Sequence, residues 1–365
     1  HVPHFHNEPD TDASPRTLTL EELWHLDGEA TERIGNVVKA VTGPDGTIYL
    51  LDRGYGQVHV LPPDGASLHS WNCRGEGPGE ASQPRDLVML PDGNLGIVDR
   101  FPGKIVKVAP DGTPAGVIRP GDDPDDELGF VGFYQAACRG GNLVVLRFNT
   151  LERPDEQDRI MALVGYRQDG GQAAVYQRQE YRWRYDRLVI RELQEDWVWD
   201  RWAVDRNGMV LVPAGRNGFE VNIYHPDGRL ARVFSRDVPP VVRTKQRRRE
   251  IVEQSEARFR RQLRYDLEYV AEDCEPGIRS IRTADDGTIW ILGASGILDQ
   301  PAGVIMTWDV FDGNGVFLHQ AAFAGTGDPR TDLFFFTGDR TLLQIVVPEE
   351  TGEAVIRHHA VRASG

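Results

Sequence analysis

The sequence predicts an all-β protein, a six-bladed β-propeller, on three observations. Paired Asp-Gly turns recur along the chain, the first two copies superimpose with an offset of 47 residues, and the last copy is one strand short while a strand-like segment lies unused before the first. Pro44-Asp45-Gly46-Thr47-Ile48-Tyr49-Leu50-Leu51-Asp52-Arg53 matches Pro91-Asp92-Gly93-Asn94-Leu95-Gly96-Ile97-Val98-Asp99-Arg100. In the same register, Pro63-Asp64-Gly65 falls on Pro110-Asp111-Gly112, so each unit carries two Asp-Gly turns 19 residues apart. Asp-Gly accepts the positive φ of tight hairpins, and two hairpins of short apolar strands make a four-stranded blade.

The remaining units follow in order. The third holds Arg139-Gly140-Gly141-Asn142 and Gln168-Asp169-Gly170; the fourth Asp205-Arg206-Asn207-Gly208 and Pro226-Asp227-Gly228. The fifth holds Asp285-Asp286-Gly287 and Asp312-Gly313-Asn314-Gly315; the sixth Gly338-Asp339-Arg340 and Glu350-Thr351-Gly352. Arg16-Thr17-Leu18-Thr19-Leu20 alternates like a strand and is expected to complete the last blade, closing the ring and removing a free sheet edge. The expected layout is an N-terminal tail over 1–15, one propeller domain over 16–362 and a C-terminal tail over 363–365.

Two stretches interrupt the pattern. Residues 150–200 lengthen the third unit and carry Tyr181-Arg182-Trp183-Arg184-Tyr185, with Trp197 and Trp199 beyond. Aromatic packing against the blade explains that run better than stacking on nucleic acid. Residues 240–272 lack turn signals, and Ile251, Ser255, Phe259, Leu263 and Leu267 recur every fourth position, which predicts an amphipathic helix inserted between blades four and five. From Val238 to Val270 the count is nine Lys or Arg against five Asp or Glu, a local +4.

The chain as a whole is acidic, with 41 Lys+Arg against 56 Asp+Glu and a net charge of −15. That balance argues against nucleic-acid binding by the body of the protein. A 40% hydrophobic content is that of a globular chain, and no run of apolar residues is long enough to cross a membrane. Cys73, Cys138 and Cys274 are odd in number and far apart, so buried thiols are expected rather than a disulfide framework or a zinc site. The chain begins at His1 and not at Met, which reads as the loss of a leading signal, anchor or trimmed segment.

The stretch Arg74-Gly75-Glu76-Gly77-Pro78-Gly79-Glu80, followed by Gln83-Pro84-Arg85-Asp86-Leu87 and a Pro-Asp-Gly turn, resembles the bacterial six-bladed β-propeller proteins related to NHL repeats. The likeness is close over residues 30–120 and continues as periodicity alone. It implies a propeller in which this loop leads into the inner strand of a blade. It also implies residence outside the cytoplasm, in the periplasm or at the cell surface. It is silent on activity.

Alignment of the units on their first turn lists what would face a central channel. Six residues before the turn stand Lys39, Asp86, Tyr134, Arg201, Ser280 and Leu333; one position earlier stand Val38, Arg85, Phe133, Asp200, Arg279 and Asp332. The candidates at the channel mouth are therefore Arg85, Asp86, Asp200, Arg201, Arg279 and Asp332. A propeller hydrolase or lactonase would need several of these oxygens to converge on a hard cation. Interleaved arginines pair with the acids more simply, so neither a metal nor another cofactor is expected. His1, His4 and His6 fall in the expected tail, and His358 and His359, neighbours on a strand, point to opposite faces. Asp122-Asp123-Pro124-Asp125-Asp126-Glu127 lacks the spacing of a calcium loop. Catalytic Ser, metalloprotease and phosphate-loop motifs are absent from the sequence.

The charged helix is not needed to close a ring, so it is the leading candidate for binding. Arg243, Lys245, Arg247, Arg248, Arg249, Arg260 and Arg261 are expected to face outward, toward an acidic protein partner or an anionic membrane surface. The reading is a non-catalytic extracytoplasmic scaffold for protein–protein contact, a membrane-extrinsic subunit of a larger membrane complex, an energy-converting complex being one example. The alternative is a metal-dependent lactonase of propeller fold. A third, carbohydrate binding by Trp183, Trp197 and Trp199, requires those rings to be exposed.

Overall fold

The computed structural model describes residues 2–9, 14–119, 129–263, 265–298, 300–347 and 353–363. The acidic run 122–127 and the Glu350-Thr351-Gly352 turn lie outside the described residues. Two strands, β1 (His4–Asn7) and β2 (Arg16–Leu26), precede the first repeat. The first repeat folds as an antiparallel sheet of β3 (Val37–Thr42), β4 (Ile48–Asp52), β5 (Gln57–Leu61) and β6 (His69–Asn72). The second does the same with β7 (Pro84–Met89), β8 (Leu95–Asp99), β9 (Lys104–Val108) and β10 (Pro114–Ile118). The third uses the longer β11 (Phe130–Arg139), β12 (Asn142–Glu152), β13 (Glu156–Tyr166) and β14 (Gln172–Arg184).

Beyond it come β15 (Leu188–Arg191) and the short helix α1 (Glu192–Glu195). The fourth sheet orders β16 (Ala203–Val204), β17 (Val210–Pro213), β18 (Glu220–Tyr224) and β19 (Leu230–Arg236), and β1 adds to its outer edge. The helix α2 (Lys245–Gln262) and β20 (Leu267–Val270) follow. The last eight strands share one sheet: β21 (Ile278–Thr283), β22 (Ile289–Gly293), β23 (Val304–Phe311) and β24 (Phe317–Ala324), then β2, β27 (Val355–Ala363), β26 (Thr341–Val346) and β25 (Leu333–Gly338). β2 runs antiparallel to β27 from Leu18↔Ala363 to Leu26↔Ile356, and its start lies parallel to β24.

Alternation explains the packing. Along β4 and β8 every residue is buried, because both faces of a sheet stacked between two others are covered. Tyr49, Leu51 and Val58 pack with Leu87, Leu95 and Ile97 of the next sheet, and Leu343, Ile345 and Ile356 pack with Ile48 and Leu50 of the first. Each such side chain contributes roughly 1.5–3 kcal/mol. The inner strands touch in the order β3–β7, β7–β11, β11–β16 and β16–β21, and β25 returns to β3. The overall result is a β-propeller with a central cavity of about 980 Å³, lined from β3, β7, β11, β16, β21 and β25.

Two parts of the expected layout change. Residues 4–7, read as tail, form a strand paired parallel with β19 from His4↔Val233 to Asn7↔Arg236; the alternation of the segment was hidden by its short length. At the other end, Ala363 belongs to β27 and not to a tail.

The inserted helix forms over the first part of the four-residue stripe, with Thr244 Oγ1 capping its start by accepting from Arg247 N at 3.1 Å. It ends at Gln262, and Leu267, expected on the same stripe, lies on β20 instead because that segment pairs with β15. It does not stand alone. Phe259 packs with Trp183, Leu188, Ile190, Leu267 and Tyr269, and Ile251, Val252 and Leu263 flank them. β20 pairs parallel with β15, so the insertion and the exit from the third sheet make one lateral module.

Candidate functional site

The N-terminal ends of β3 and β7 are held by a device that repeats with the sequence. Asp52, fully buried, accepts from Gly35 N at 2.6 Å, Asn36 N at 2.9 Å, Gly54 N at 2.7 Å and Tyr55 N at 3.2 Å, with His59 Nε2 at 3.2 Å. Burial alone would raise its pKa, but His59 and these N–H groups bring the carboxyl down to about 2. Asp99 repeats the arrangement, accepting from Ser82 N at 3.1 Å and Gln83 N at 2.8 Å. Each Asp thus ties the second strand of its sheet to the chain entering the first.

The residue after each of these aspartates is an arginine: Arg53 lines the cavity, and Arg100 is exposed beside Tyr134, which lines it. Arg53 N donates to Asn36 O, Arg100 N donates to Gln83 O, and Phe133 N donates to Arg100 O, which fixes both backbones beside the inner strands. Arg53 and Arg85 line the cavity. The guanidinium carbons of Arg85 and Arg100 lie 5.7 and 5.5 Å from the centre of the Tyr134 ring. Trp199 packs edge-on against that ring at 4.6 Å. Among the described residues, none of Arg53, Arg85 and Arg100 is in ion-pair contact with a carboxylate. Burial, then mutual repulsion, lowers the pKa of Arg53 and of Arg85.

Of the six channel-mouth candidates, three are where the alignment puts them. Arg85, Asp86 and Asp200 line the cavity, the last with φ +56° and with its carboxylate taken by Gln135 Nε2. Asp86 is buried; Lys39 Nζ lies 3.3 Å from Oδ1, and Ala136 N donates to Oδ2 at 2.9 Å. Burial pushes the Asp86 carboxyl up against the pull of Lys39, while burial of Lys39 is outweighed by Asp86 and Asp200, which hold the ammonium charged.

The other three are not cavity residues. Arg201 is buried and pairs with Asp196, because the chain before β16 loops aside and Trp199, Asp200 and Trp202 take the lining positions. Arg279 pairs with Glu275 at 2.9 Å. Asp332 accepts from Gln344 Nε2 at 2.8 Å and from Asp328 N at 3.2 Å. Among the described residues no three His, Cys, Asp or Glu side chains come together as metal donors. The opposite end of the cavity is internally paired: Arg139 bonds to Asp285 and Thr283, and Arg282 to Gly338 O and Asp339.

The basic arm divides in two. Arg243 faces inward, contrary to expectation: Nη1 lies 2.7 Å from Glu192 Oε2, and Nη2 2.9 Å from both Glu192 Oε1 and Glu275 Oε2. Glu192 also holds Arg216 at 2.5 Å, so these buried charges bolt the module to the fourth sheet. Arg247 reaches Glu250 and Glu275 at 3.7 Å, Arg248 reaches Asp273 at 2.5 Å and Arg260 reaches Glu256 at 2.9 Å. Lys245, Arg249 and Arg261 are exposed.

The aromatic candidates fall to packing. Trp183 and Trp197 are buried, Trp183 under Phe259 and Arg159, while Trp199 alone of the three lines the cavity. His358 and His359 point to separate partners, Thr337 and Gln344, as strand alternation requires. Arg53 and Arg100 were not picked out from the sequence as site residues, although their shared register after Asp52 and Asp99 carried the signal.

This geometry defines a β-propeller whose central cavity is lined by charged and apolar side chains together. No protein-family model matches the chain, and no curated protein matches it. Among solved structures, a Bacteroides fragilis protein described as a candidate exported protein superimposes at TM-score 0.52 with 10% identity, over 100% of each chain. A candidate gluconolactonase aligns at 0.47 with 14% identity, over 95% of this chain and 94% of that one. An inactive virginiamycin B lyase from Staphylococcus aureus, with quinupristin, aligns at 0.44 with 10% identity over 97% of both. The first of these, at 10% identity, speaks to the fold alone. Among the described residues no helix is long and apolar enough to cross a membrane.

Proposed function

We propose that this chain is a non-catalytic, extracytoplasmic six-bladed propeller over residues 16–362 that docks an acidic protein partner through α2, as a membrane-extrinsic subunit of a larger membrane complex. The ring of six, closed by β2, is supported by the contact of β25 with β3 and by the pairing of β2 with β27. The observation that carries the docking role is where the charge sits on α2. Lys245, Arg247 and Arg248 occupy its first turn, which holds no acidic residue. The helix dipole disfavours cations there by about 0.3–1 kcal/mol each. Arg247 and Arg248 are offset by Glu250, Glu275 and Asp273, whereas Lys245 and Arg249 have no ion pair among the described residues and stay available to a partner. The buried Arg243–Glu192–Glu275 network presents this surface rigidly, which limits the entropy lost on docking.

The lactonase reading lacks its donor set, since Asp332 is tied to Gln344 outside the cavity and Asp86 to Lys39. The test is a native pull-down from source cells with the full chain and with Lys245→Glu/Arg248→Glu/Arg249→Glu. Loss of a stoichiometric partner by the triple variant, with an unchanged melting temperature, is the expected result. Equal recovery by both proteins overturns the proposal, and binding of vesicles rich in anionic lipid without a protein partner assigns the face to a membrane instead.

A further inference from the structure

The cavity mouth holds positive charge that the fold does not use. Arg53 and Arg100 follow β4 and β8 and are bonded beside the entries to β3 and β7, and Arg85 lies on β7 itself. They gather in a protein whose net charge is −15. Structural arginines elsewhere in this chain are paired: Arg236 with Asp309, Arg216 with Glu192, Arg139 with Asp285. The two ends of one cavity therefore differ in kind, one neutralised internally and the other left cationic. Arg53 and Arg85 are half-buried and Arg100 is exposed beside them; holding like charges together costs free energy, and an anion that bridges them recovers it.

The aromatic groups define the rest of the ligand. Arg85 and Arg100 both lie within 5.7 Å of the Tyr134 ring centre, a cation–π distance that orients their guanidinium planes. Phe148 supports Tyr134 from behind at 4.5 Å, and Trp199 stands edge-on beside it. Trp199 is itself anchored, its Nε1 donating to Glu195 O at 2.5 Å. Guanidinium groups bind carboxylates in a bidentate fork, and a flat apolar body fits against the adjoining rings.

We propose that this mouth is a binding site for a small aryl carboxylate, with Arg53, Arg85 and Arg100 holding the carboxylate and Tyr134 and Trp199 bordering its ring. Asp200, fixed by Gln135, faces the same space and selects against ligands carrying a second negative charge. The site is separate from α2 and does not depend on the docking role.

The test is calorimetric titration of the full chain at low ionic strength with phenylacetate, its neutral isostere phenylacetamide, and inorganic phosphate. Expected are one saturable site for phenylacetate, binding of the amide weaker by about tenfold or more, and phosphate weaker than phenylacetate. Arg85→Gln and the pair Arg53→Gln/Arg100→Gln should each weaken phenylacetate by about tenfold or more, while Arg229→Gln, at an exposed arginine outside both sites, leaves it unchanged. If Arg85→Gln does not fold, Arg85→Lys, which keeps the charge and loses the fork, should still bind phenylacetate more weakly than the wild type. Equal binding of amide and acid, preference for phosphate, no saturable phenylacetate binding, or insensitivity to the arginine substitutions each overturns the proposal.

Discussion

Replacing Arg243 with methionine isolates what fixes the helical module to the propeller. The side chain makes three charge-assisted contacts of 2.7–2.9 Å to Glu192 and Glu275 and donates to Glu272 O at 3.2 Å. Breaking a buried ion pair from one side typically costs 3–5 kcal/mol. Here Glu192 keeps Arg216 and the Glu272 N–H, and Glu275 keeps Arg279. That partial compensation places the loss near the lower bound, about 3 kcal/mol. Urea unfolding at pH 7 reads the global loss, and hydrogen exchange across Lys245–Gln262 reads release of the helix. The pH dependence checks the cause. Burial would raise the carboxyls of Glu192 and Glu275, but Arg243 and their other partners bring both below the ordinary 4.5. A lowered folded-state pKa contributes stability that is complete above the unfolded value and is lost as pH falls through the folded one. The gap between wild type and Arg243→Met should therefore be full at pH 6–7 and shrink steadily below about 4.5. A gap under about 1 kcal/mol at pH 7, or one that persists undiminished at pH 3, would refute this account.

Four further outcomes are expected. Asp52→Asn should destabilise by about 2–4 kcal/mol, since five donors converge on that carboxylate; with a folded pKa of about 2 against an ordinary 3.8, the difference should disappear between pH 4 and 2 in acid-unfolding curves. Gly112→Ala, at φ +87° with Trp71 2.9 Å from the added Cβ, should cost more than Gly93→Ala, at φ +80° with open space around it; the latter should lose only about 1 kcal/mol in the same urea assay. Burial pushes the Cys73 thiol up to about 12 and Cys138 up to about 11, so a thiol-titrating disulfide reagent at pH 8 should leave both unmodified until denaturant is added. Deleting residues 1–26 should expose the edge of β27 and lower the melting temperature with concentration-dependent aggregation, whereas a monomer of unchanged stability would show that β2 is dispensable.

The parts of the fold that were legible in the sequence are those set by local chemistry. Pro-Asp-Gly at 44–46 and 91–93 demands a turn at positive φ, and Gly46 and Gly93 adopt it at +85° and +80°. The four-residue stripe through Ile251 and Phe259 specified a helix and its buried face. What escaped was set by distant partners. Nothing local distinguishes Arg243 from Lys245, two residues on, yet the first meets Glu192, 51 positions away, and the second meets solvent. Alignment on the turn located Arg85 and Asp86 but failed at Arg201, because the long third sheet and its exit displace the approach to β16. Arg53 and Arg100 were visible as a repeat and unreadable as a site, since function depends on which residues share a mouth and not on which share a register.

The placement of the first residues has a bearing on how the chain reaches this state. Asn7 bonds to Ser235 O and Gly315 O, both at 2.9 Å, and accepts from Phe317 N at 2.7 Å; β2 then lies between β24 and β27. β2 finds its partner far along the sequence, with 343 positions separating Thr19 from Arg362. Contacts of such range form slowly, because the loop must close before any hydrogen bond rewards it. Pairing of β2 with β27 and β24 therefore contributes contacts of the longest range in the described fold, the kind that loop-closure entropy makes slow to form.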